Sequence, residues 1–371
     1  MSTLHSLFDN YGQSPWIDNI RRDWLNDGTL EGLVVQGVRG VTSNPAIFAK
    51  ALATSSAYDE FLVGASSKDP EELFETLAVK DVRDACDVLA RVHESSRADF
   101  QAGRRRYLDG FVSLEVSPRL AHDTTGSIAA AKRLASDVGR SNLMIKIPAT
   151  LEGLPAITEV LGSGINVNVT LIFSLERYRA VIGAWIAGLQ LARERGHDLS
   201  EIASVASFFV SRVDAAVDAL LDEGDQYRGT IANAQVCAAY EIYLERMASS
   251  EVTALLDNGA QVQRPLWAST STKNPSYYDL LYVDPIVGNE TVNTMPDPTL
   301  SAVLDHGDFS QSFLLDRASS QREAERLQQL PSKISLAAVT QELEVDGVAA
   351  FVDSYEELLA TVAAKIATVA S

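Results

Sequence analysis

Cysteine, histidine and long apolar segments are scarce in this 371-residue sequence, and each scarcity argues against a class of protein. The two cysteines, Cys86 and Cys237, lie in helix-like patterns without metal-ligand spacing, so we expect two reduced, buried thiols. The five histidines show no metal-ligand spacing either. The sequence has no basic leader followed by an apolar core and no apolar run of about 18 residues, so we expect a cytoplasmic protein without a membrane anchor.

Basic residues are also few. The chain has 31 Lys and Arg against 50 Asp and Glu, which gives a formal net charge of −19. Such an acid excess repels nucleic-acid backbones and anionic lipid, and the basic clusters are short, such as residues 104–106. We therefore expect neither nucleic acid nor membrane among the partners. With 46% apolar and 22% charged residues, the composition is that of a globular protein with an ample core.

Short β-type segments alternate with longer helical patterns along most of the chain, which is typical of βα units and a parallel sheet. Eight such segments predict an α/β fold, a closed (β/α)8 TIM barrel, with residues 1–371 as a single domain. Residues 213–251 exceed what one barrel helix needs and predict a helical insertion of two helices. Residues 300–371 predict C-terminal helices packed on the barrel. The predicted strands are residues 14–18, 38–43, 110–116, 143–148, 166–173, 203–210, 265–269 and 280–283.

Three helix boundaries are marked by capping residues. Asp69 followed by Pro70 predicts a helix start, because aspartate caps the first turn and proline fits its first position. Ser174 is predicted to cap a second helix, and Gly139 is predicted to end a third in the left-handed conformation.

Polar residues at the carboxyl ends of the predicted strands are the candidates for chemistry, because the active site of a parallel barrel lies there. Lys146 stands between Ile145 and Ile147 in an otherwise apolar strand, and alternation directs it toward the barrel axis. Burial disfavours the charged form of a lysine and leaves free amine that can attack a carbonyl. The alternative is a structural lysine paired with Glu115, the acid in the preceding apolar strand.

Two further groups of polar residues are candidates. Asp18 ends the first strand, where it is either an acid–base group or a helix cap. Arg212 and Lys273, with nearby serine hydroxyls, either form an anion site near the last strands or are solvated surface charges. A basic pocket in an acidic protein fits a small phosphorylated substrate. The hydroxyls are those of Ser207, Ser269 and Ser271.

Five motifs together resemble the transaldolases, and the closer likeness is to the longer bacterial form of that family. The motifs occur in family order between about residue 18 and residue 285, and their conjunction is specific although each alone is modest evidence. They are residues 40–45 (GVTSNP), 112–116 (VSLEV), 144–150 (MIKIPAT), 166–173 (NVNVTLIF) and 267–270 (WAST).

The resemblance implies a pentose phosphate pathway enzyme that needs neither metal nor organic cofactor and acts on small phosphorylated sugars as a monomer or homodimer. It would transfer a dihydroxyacetone unit from sedoheptulose 7-phosphate to glyceraldehyde 3-phosphate, giving erythrose 4-phosphate and fructose 6-phosphate. By the same resemblance, Lys146 is the Schiff-base nucleophile and Asp18 the general acid–base group at the bond that breaks. Glu115 and Thr170 are the pair that holds the water used in proton transfer.

The resemblance also implies a set of substrate-binding residues. Asn44 and Asn168 would bind the dihydroxyacetone hydroxyls. The residues near the phosphate would be Ser207, Arg212 and Ser269. Shorter transaldolases have an arginine soon after the last of these serines, and we infer that Lys273 supplies that charge here.

Two other functions are compatible with parts of the sequence. A fructose 6-phosphate aldolase-like enzyme that releases free dihydroxyacetone would share every step up to the carbanion. Such enzymes usually carry tyrosine where this chain has Phe209 and glutamine where it has Glu115, so both positions favour transfer. A catalytically silent barrel that binds sugar phosphates is disfavoured by the joint presence of Lys146, Glu115 and Asp18.

Overall fold

Seven parallel strands and one short extended segment form a barrel in the computed structural model of this chain, which describes residues 2–64 and 69–369. The hydrogen-bonded order of the strands is β1-β7-β6-β5-β4-β3-β2. The strands are β1 (Gln13–Ile17), β2 (Val112–Glu115), β3 (Leu143–Pro148), β4 (Val167–Ile172), β5 (Ser204–Phe209), β6 (Arg264–Ala268) and β7 (Thr291–Met295).

Residues 39–42, which we call the closing segment, fill the gap between β1 and β2. Val41 makes a parallel bridge to Ile17 on one side and to Val112 on the other. The backbone N–H of Val41 donates to the Phe111 carbonyl at 2.9 Å, and that of Thr42 donates to the Ile17 carbonyl at 2.9 Å. The closing segment therefore takes the place of a second barrel strand, and the predicted (β/α)8 barrel is confirmed.

The last of the predicted strands is wrong. Residues 280–283 form turns, and the final barrel position is taken by β7, further along the chain. Leu280 and Val283 are buried, so their apolar run reflects a turn segment packed into the core. β7 was missed because its buried side chains are largely polar: Asn293, for example, accepts a hydrogen bond from Thr270 at 2.9 Å. A strand of that composition gives little hydrophobic periodicity.

Helices surround the barrel and connect its strands. Within the described ranges they are α1 (Thr3–Tyr11), α2 (Arg22–Asp27), α3 (Thr29–Gln36), α4 (Pro45–Thr54), α5 (Asp59–Gly64), α6 (Pro70–Gln101), α7 (Thr124–Val138), α8 (Gly153–Leu161), α9 (Leu175–Glu194), α10 (Ser211–Asp218), α11 (Ile231–Met247), α12 (Ser250–Leu256), α13 (Asp297–His306), α14 (Arg317–Ala324), α15 (Arg326–Gln329) and α16 (Leu336–Val369).

The three predicted caps are confirmed. The Asp69 side chain accepts hydrogen bonds from two backbone N–H groups in the first turn of α6, and Pro70 occupies the first position of that helix. Ser174 caps α9 in the same way through one N–H. Gly139 ends α7 with a φ of 60°, in the left-handed region. Local sequence signals therefore set the ends of these barrel helices.

The C-terminal helix α16 passes over the carboxyl-terminal end of the barrel. Its Phe351 ring lies 6.0 Å from Nζ of Lys146, measured to the ring centroid. Further along α16, the Tyr355 hydroxyl donates to a carboxylate oxygen of Glu71 in α6 at 2.9 Å. The tail is thus tied to the barrel helices and brings side chains to the mouth of the barrel.

Three further features bear on the class of protein. Cys86 and Cys237 are buried free thiols, as predicted. Among the residues that the structure describes, no three His, Cys, Asp or Glu side chains are grouped so that they could hold a metal ion. No helix in the described ranges is long and apolar enough to cross a membrane.

Candidate active site

A cavity of about 280 Å³ opens at the carboxyl ends of the strands. Two of the predicted site residues, Glu115 and Asn168, do not line it but contact residues that do. The predicted residues that line the cavity are Asp18, Asn44, Lys146, Thr170, Ser207, Phe209, Arg212, Ser269 and Lys273. The barrel therefore brings together residues that lie up to 255 positions apart in the chain, from Asp18 to Lys273.

Lys146 lies at the centre of this arrangement. Strand register places it opposite Glu115 of β2 on one side and Asn168 of β4 on the other. Its side chain is 6% exposed, and Nζ donates a hydrogen bond to the Ser43 carbonyl at 2.8 Å. Nζ also lies 3.7 Å from Oε2 of Glu115, which is an ion pair beyond hydrogen-bond distance. Lys146 is therefore a buried amine that faces the cavity. It is also paired with Glu115, as the alternative of a structural lysine requires.

Glu115, which is paired with Lys146, and Thr170, which lines the cavity, each carry a buried polar oxygen. Burial raises the pKa of Glu115 to about 7, and the Asp18 charge adds to the increase, while the Lys146 charge opposes it. Within the described part of the chain, Oε2 of Glu115 and Oγ1 of Thr170 have no hydrogen-bond partner. Buried polar atoms of this kind are commonly satisfied by an ordered water or a ligand.

Asp18 is held by a chain of hydroxyl groups. Oγ1 of Thr42 donates to Oδ1 of Asp18 at 2.6 Å, and Oγ1 of Thr294 lies 2.6 Å from the same hydroxyl. Burial raises the pKa of Asp18, although the Lys146 charge and the Thr42 hydrogen bond counteract it. Helix α2 begins at Arg22, so Asp18 does not cap it, and the helix-cap alternative is wrong.

Two strained backbone positions lie next to the site. Leu171 has a φ of 60° and Ser269 a φ of 54°, in the left-handed region that residues with a Cβ rarely adopt. The pairing of β4 with β5 shifts register between Val169 and Ile172, which is a bulge beside Thr170. Each strained residue costs about 1–3 kcal/mol, and such positions cluster at functional sites.

Arg212 and Lys273 bring two positive charges to the cavity. Arg212 lies in the first turn of α10, just beyond β5, and Lys273 follows β6. In the described ranges neither cation forms an ion pair with a carboxylate; Nζ of Lys273 donates instead to the Ser271 hydroxyl at 2.7 Å. Partial burial lowers the pKa of Arg212, and partial desolvation at the cavity mouth together with the Arg212 charge lowers the pKa of Lys273. Two unpaired cations that repel each other form a ready site for an anion.

The two asparagines have different positions. Asn44 lines the cavity, and its Oδ1 caps α4 by accepting from the Ile47 N–H at 3.1 Å. Asn168 is fully buried below the cavity wall, where its amide donates to Ser113 at 3.0 Å and accepts from Ser207 at 2.6 Å. Asn168 therefore supports the wall residue Ser207 in this structure, and its contact with substrate stays a prediction.

Several residues at the cavity were not assigned a role from the sequence. Thr42 lies in a quoted motif, but only the fold reveals its hydrogen bond to Asp18. Thr294 belongs to β7, the strand that was not predicted from the sequence. Phe351 and Ser354 come from α16, and nothing local in a helix shows where it docks.

Comparisons with known proteins place the chain beside one family over almost its whole length. The family model described as Transaldolase/Fructose-6-phosphate aldolase matches residues 15–362. A protein named Transaldolase from Thermobifida fusca is 48% identical over 375 residues, which cover 99% of each chain. One from Saccharopolyspora erythraea is 47% identical over 368 residues, covering 97% of each chain. A third, from Trichodesmium erythraeum, is 41% identical over 383 residues, covering 99% of this chain and 98% of the relative.

Proposed function

The chain belongs to the transaldolase/fructose-6-phosphate aldolase family, and from this premise we propose that it is a transaldolase that moves a dihydroxyacetone unit from sedoheptulose 7-phosphate to glyceraldehyde 3-phosphate. One observation carries the proposal: Lys146 and Asp18 line a cavity that also holds two cations without a carboxylate partner among the described residues, and Glu115 lies behind its wall beside Lys146. A nucleophilic amine, two proton-transfer groups and an anion site are what Schiff-base chemistry on a phosphorylated ketose requires.

The first step forms the covalent intermediate. Arg212 and Lys273 bind the phosphate of the donor, and Nζ of Lys146 attacks its ketone carbon. The resulting carbinolamine loses water to give the imine, and Glu115 supplies the proton through a water that it shares with Thr170. A carboxyl pKa of about 7 suits this task, because such a group both accepts and donates protons near neutral pH.

The second step breaks the carbon–carbon bond. Asp18 takes the proton of the donor hydroxyl at the bond to be cleaved, the aldose phosphate leaves, and the bonding electrons move onto the imine as a resonance-stabilised carbanion. Glyceraldehyde 3-phosphate then takes the vacated place, the carbanion attacks its aldehyde carbon, and Asp18 returns the proton to the new hydroxyl. Hydrolysis of the imine releases fructose 6-phosphate and regenerates Lys146.

The carbanion must survive until the acceptor arrives. Phe209 and Phe351 line the cavity, and the Phe351 ring lies 6.0 Å from Nζ of Lys146. These rings exclude water from the side of the intermediate that they cover, which slows stray protonation.

Acceptor dependence tests the proposal. The protein is incubated with fructose 6-phosphate, with and without erythrose 4-phosphate, beside a Lys146→Ala variant, and the products are quantified. We expect multiple turnovers to sedoheptulose 7-phosphate and glyceraldehyde 3-phosphate only with acceptor present. Without acceptor, at most one glyceraldehyde 3-phosphate per protein molecule should be released, and the variant should give neither product. Release of free dihydroxyacetone at the same rate without acceptor would instead establish the aldolase alternative.

A further inference from the structure

The segment between β6 and β7 carries Lys273 without the support of a regular element. Residues 269–283 form bends, turns and irregular backbone. Lys273 itself is exposed at the cavity mouth, whereas Arg212 is half-buried on the rigid first turn of α10. A lysine is a point charge on a flexible stem, so its use in binding depends on what holds its backbone. We call residues 269–283 the Lys273 loop.

Two tyrosines of the Lys273 loop are bound to two aspartates of α10. The Tyr277 hydroxyl donates to Oδ2 of Asp218 at 2.6 Å. The Tyr282 hydroxyl donates to Oδ2 of Asp214 at 3.0 Å. Asp214 and Asp218 are one helical turn apart and therefore lie on the same face of α10, the helix that begins beside Arg212. These two side-chain bonds connect the loop and the helix that carry the two cations, in addition to the hydrogen bonds between Ser211 and Ser269 where the loop begins.

The second oxygen of each aspartate fixes a third segment. Oδ1 of Asp218 accepts from the Gly229 N–H at 3.0 Å, and Oδ1 of Asp214 accepts from the Ala232 N–H at 2.8 Å. Gly229 has a φ of 68°, and a Cβ there would lie 2.9 Å from the Tyr277 ring. The ring therefore packs directly on this glycine. Each carboxylate therefore accepts a hydrogen bond at both oxygens. We call the Tyr277–Asp218 and Tyr282–Asp214 contacts the joint.

We propose that Tyr277 and Asp218, anchored by the buried Tyr282–Asp214 pair, are positioning residues that hold Lys273 at the distance from Arg212 at which both cations bind one phosphate group. Lys273 lines the active-site cavity and also a second cavity of about 340 Å³ behind it, which Tyr277 and Asp218 border. Without the joint, the Lys273 loop can move into that space and the ammonium group leaves the site. The inference rests on the proposed function, since it assigns how the phosphate of the substrate is recognised.

The test measures the dissociation constant of inorganic phosphate by calorimetry. Tyr277→Phe removes one hydroxyl and keeps the ring on Gly229. Tyr278→Phe is the matched control, because that neighbouring hydroxyl donates to Asp284 at 2.8 Å and not to α10. We expect Tyr277→Phe to weaken phosphate binding by about fivefold to tenfold, the loss typical of one intramolecular hydrogen bond. Tyr278→Phe should bind as the wild type does.

A double variant separates positioning from a general structural effect. Lys273→Ala should weaken phosphate binding, and adding Tyr277→Phe to it should cause no further loss, because the tyrosine acts through Lys273. The inference is overturned if Tyr277→Phe binds phosphate normally, if it causes the same fold loss without Lys273, or if the wild-type protein binds no phosphate. Asp218→Asn, which alters the same joint from α10, should reproduce the Tyr277→Phe loss.

Kinetics keep this inference separate from the proposed function. Tyr277→Phe should raise KM for fructose 6-phosphate by about fivefold to tenfold while kcat and the reaction of unphosphorylated fructose change by less than about twofold. Equal effects on both sugars would contradict positioning at the phosphate. If the wild-type protein transfers no dihydroxyacetone unit, the proposed function fails, whereas the phosphate measurements still decide whether the joint positions Lys273.

Discussion

Replacing Glu115 with glutamine removes a buried titrating group and keeps the size of the side chain. Burial raises the pKa of this carboxyl group from its ordinary value of 4.5 to about 7, although Lys146 lies nearby. Between these values the folded protein binds a proton that the unfolded chain does not bind. The free energy of unfolding therefore has a contribution that is present below pH 4.5 and is lost as the pH rises through about 7.

The size of this contribution follows from the shift in pKa. Each pKa unit corresponds to about 1.4 kcal/mol, so the full contribution is about 3 kcal/mol. Urea unfolding of the wild type and of Glu115→Gln at several pH values between about 5 and 8 measures it, since subtraction removes the titration of groups common to both proteins. We expect the stability of the wild type relative to the variant to fall by most of this amount as the pH rises. A difference that stays constant, or that increases with pH, would refute the environment assigned to Glu115.

Three further predictions concern the walls of the cavity. Thr42→Val removes a 2.6 Å hydrogen bond that lowers the pKa of Asp18, so the limb of the kcat–pH profile that belongs to Asp18 should move to higher pH. A limb that does not move would contradict the role of Asp18 in proton transfer. Arg212→Ala should raise KM for fructose 6-phosphate by at least about tenfold and KM for fructose far less. Equal increases for both sugars in steady-state kinetics would contradict the place of Arg212 in the phosphate site. Phe209→Tyr places a hydroxyl in the cavity and should increase the release of free dihydroxyacetone without acceptor severalfold, which product analysis would detect or exclude.

The barrel was predictable from the sequence because most of its strands are buried on both faces. The apolar run that holds Lys146 became β3 within the predicted bounds, Leu143–Pro148. Strand β7 was not predicted, because its polar side chains form hydrogen bonds inside the barrel, such as the one that Asn293 accepts from Thr270. Such partners come from distant parts of the chain, so no local pattern reveals them. The predicted strand at residues 38–43 likewise has only one residue in bridge pairing, Val41.

The candidate site was predictable where the chemistry contradicts the local environment. A lysine and a glutamate in adjoining apolar strands were unusual enough to be identified, and the fold places Nζ of Lys146 3.7 Å from Oε2 of Glu115. The contribution of α16 was not predictable in this way, because Phe351 is an ordinary apolar residue of an amphipathic helix until that helix docks over the barrel. The joint that ties Tyr277 to Asp218 also depends on tertiary packing alone.

The most direct measurement is the location of the covalent intermediate. The protein is incubated with fructose 6-phosphate, reduced with borohydride and mapped by mass spectrometry, beside Lys146→Ala and Lys273→Ala. We expect a reduced three-carbon adduct on Lys146 in the wild type and, at saturating substrate, in Lys273→Ala, which loses the other lysine of the cavity. Lys146→Ala should carry none. No adduct, or an adduct on a different lysine of the wild type, would contradict the Schiff-base role and leave Lys146 as the structural ion-pair partner of Glu115.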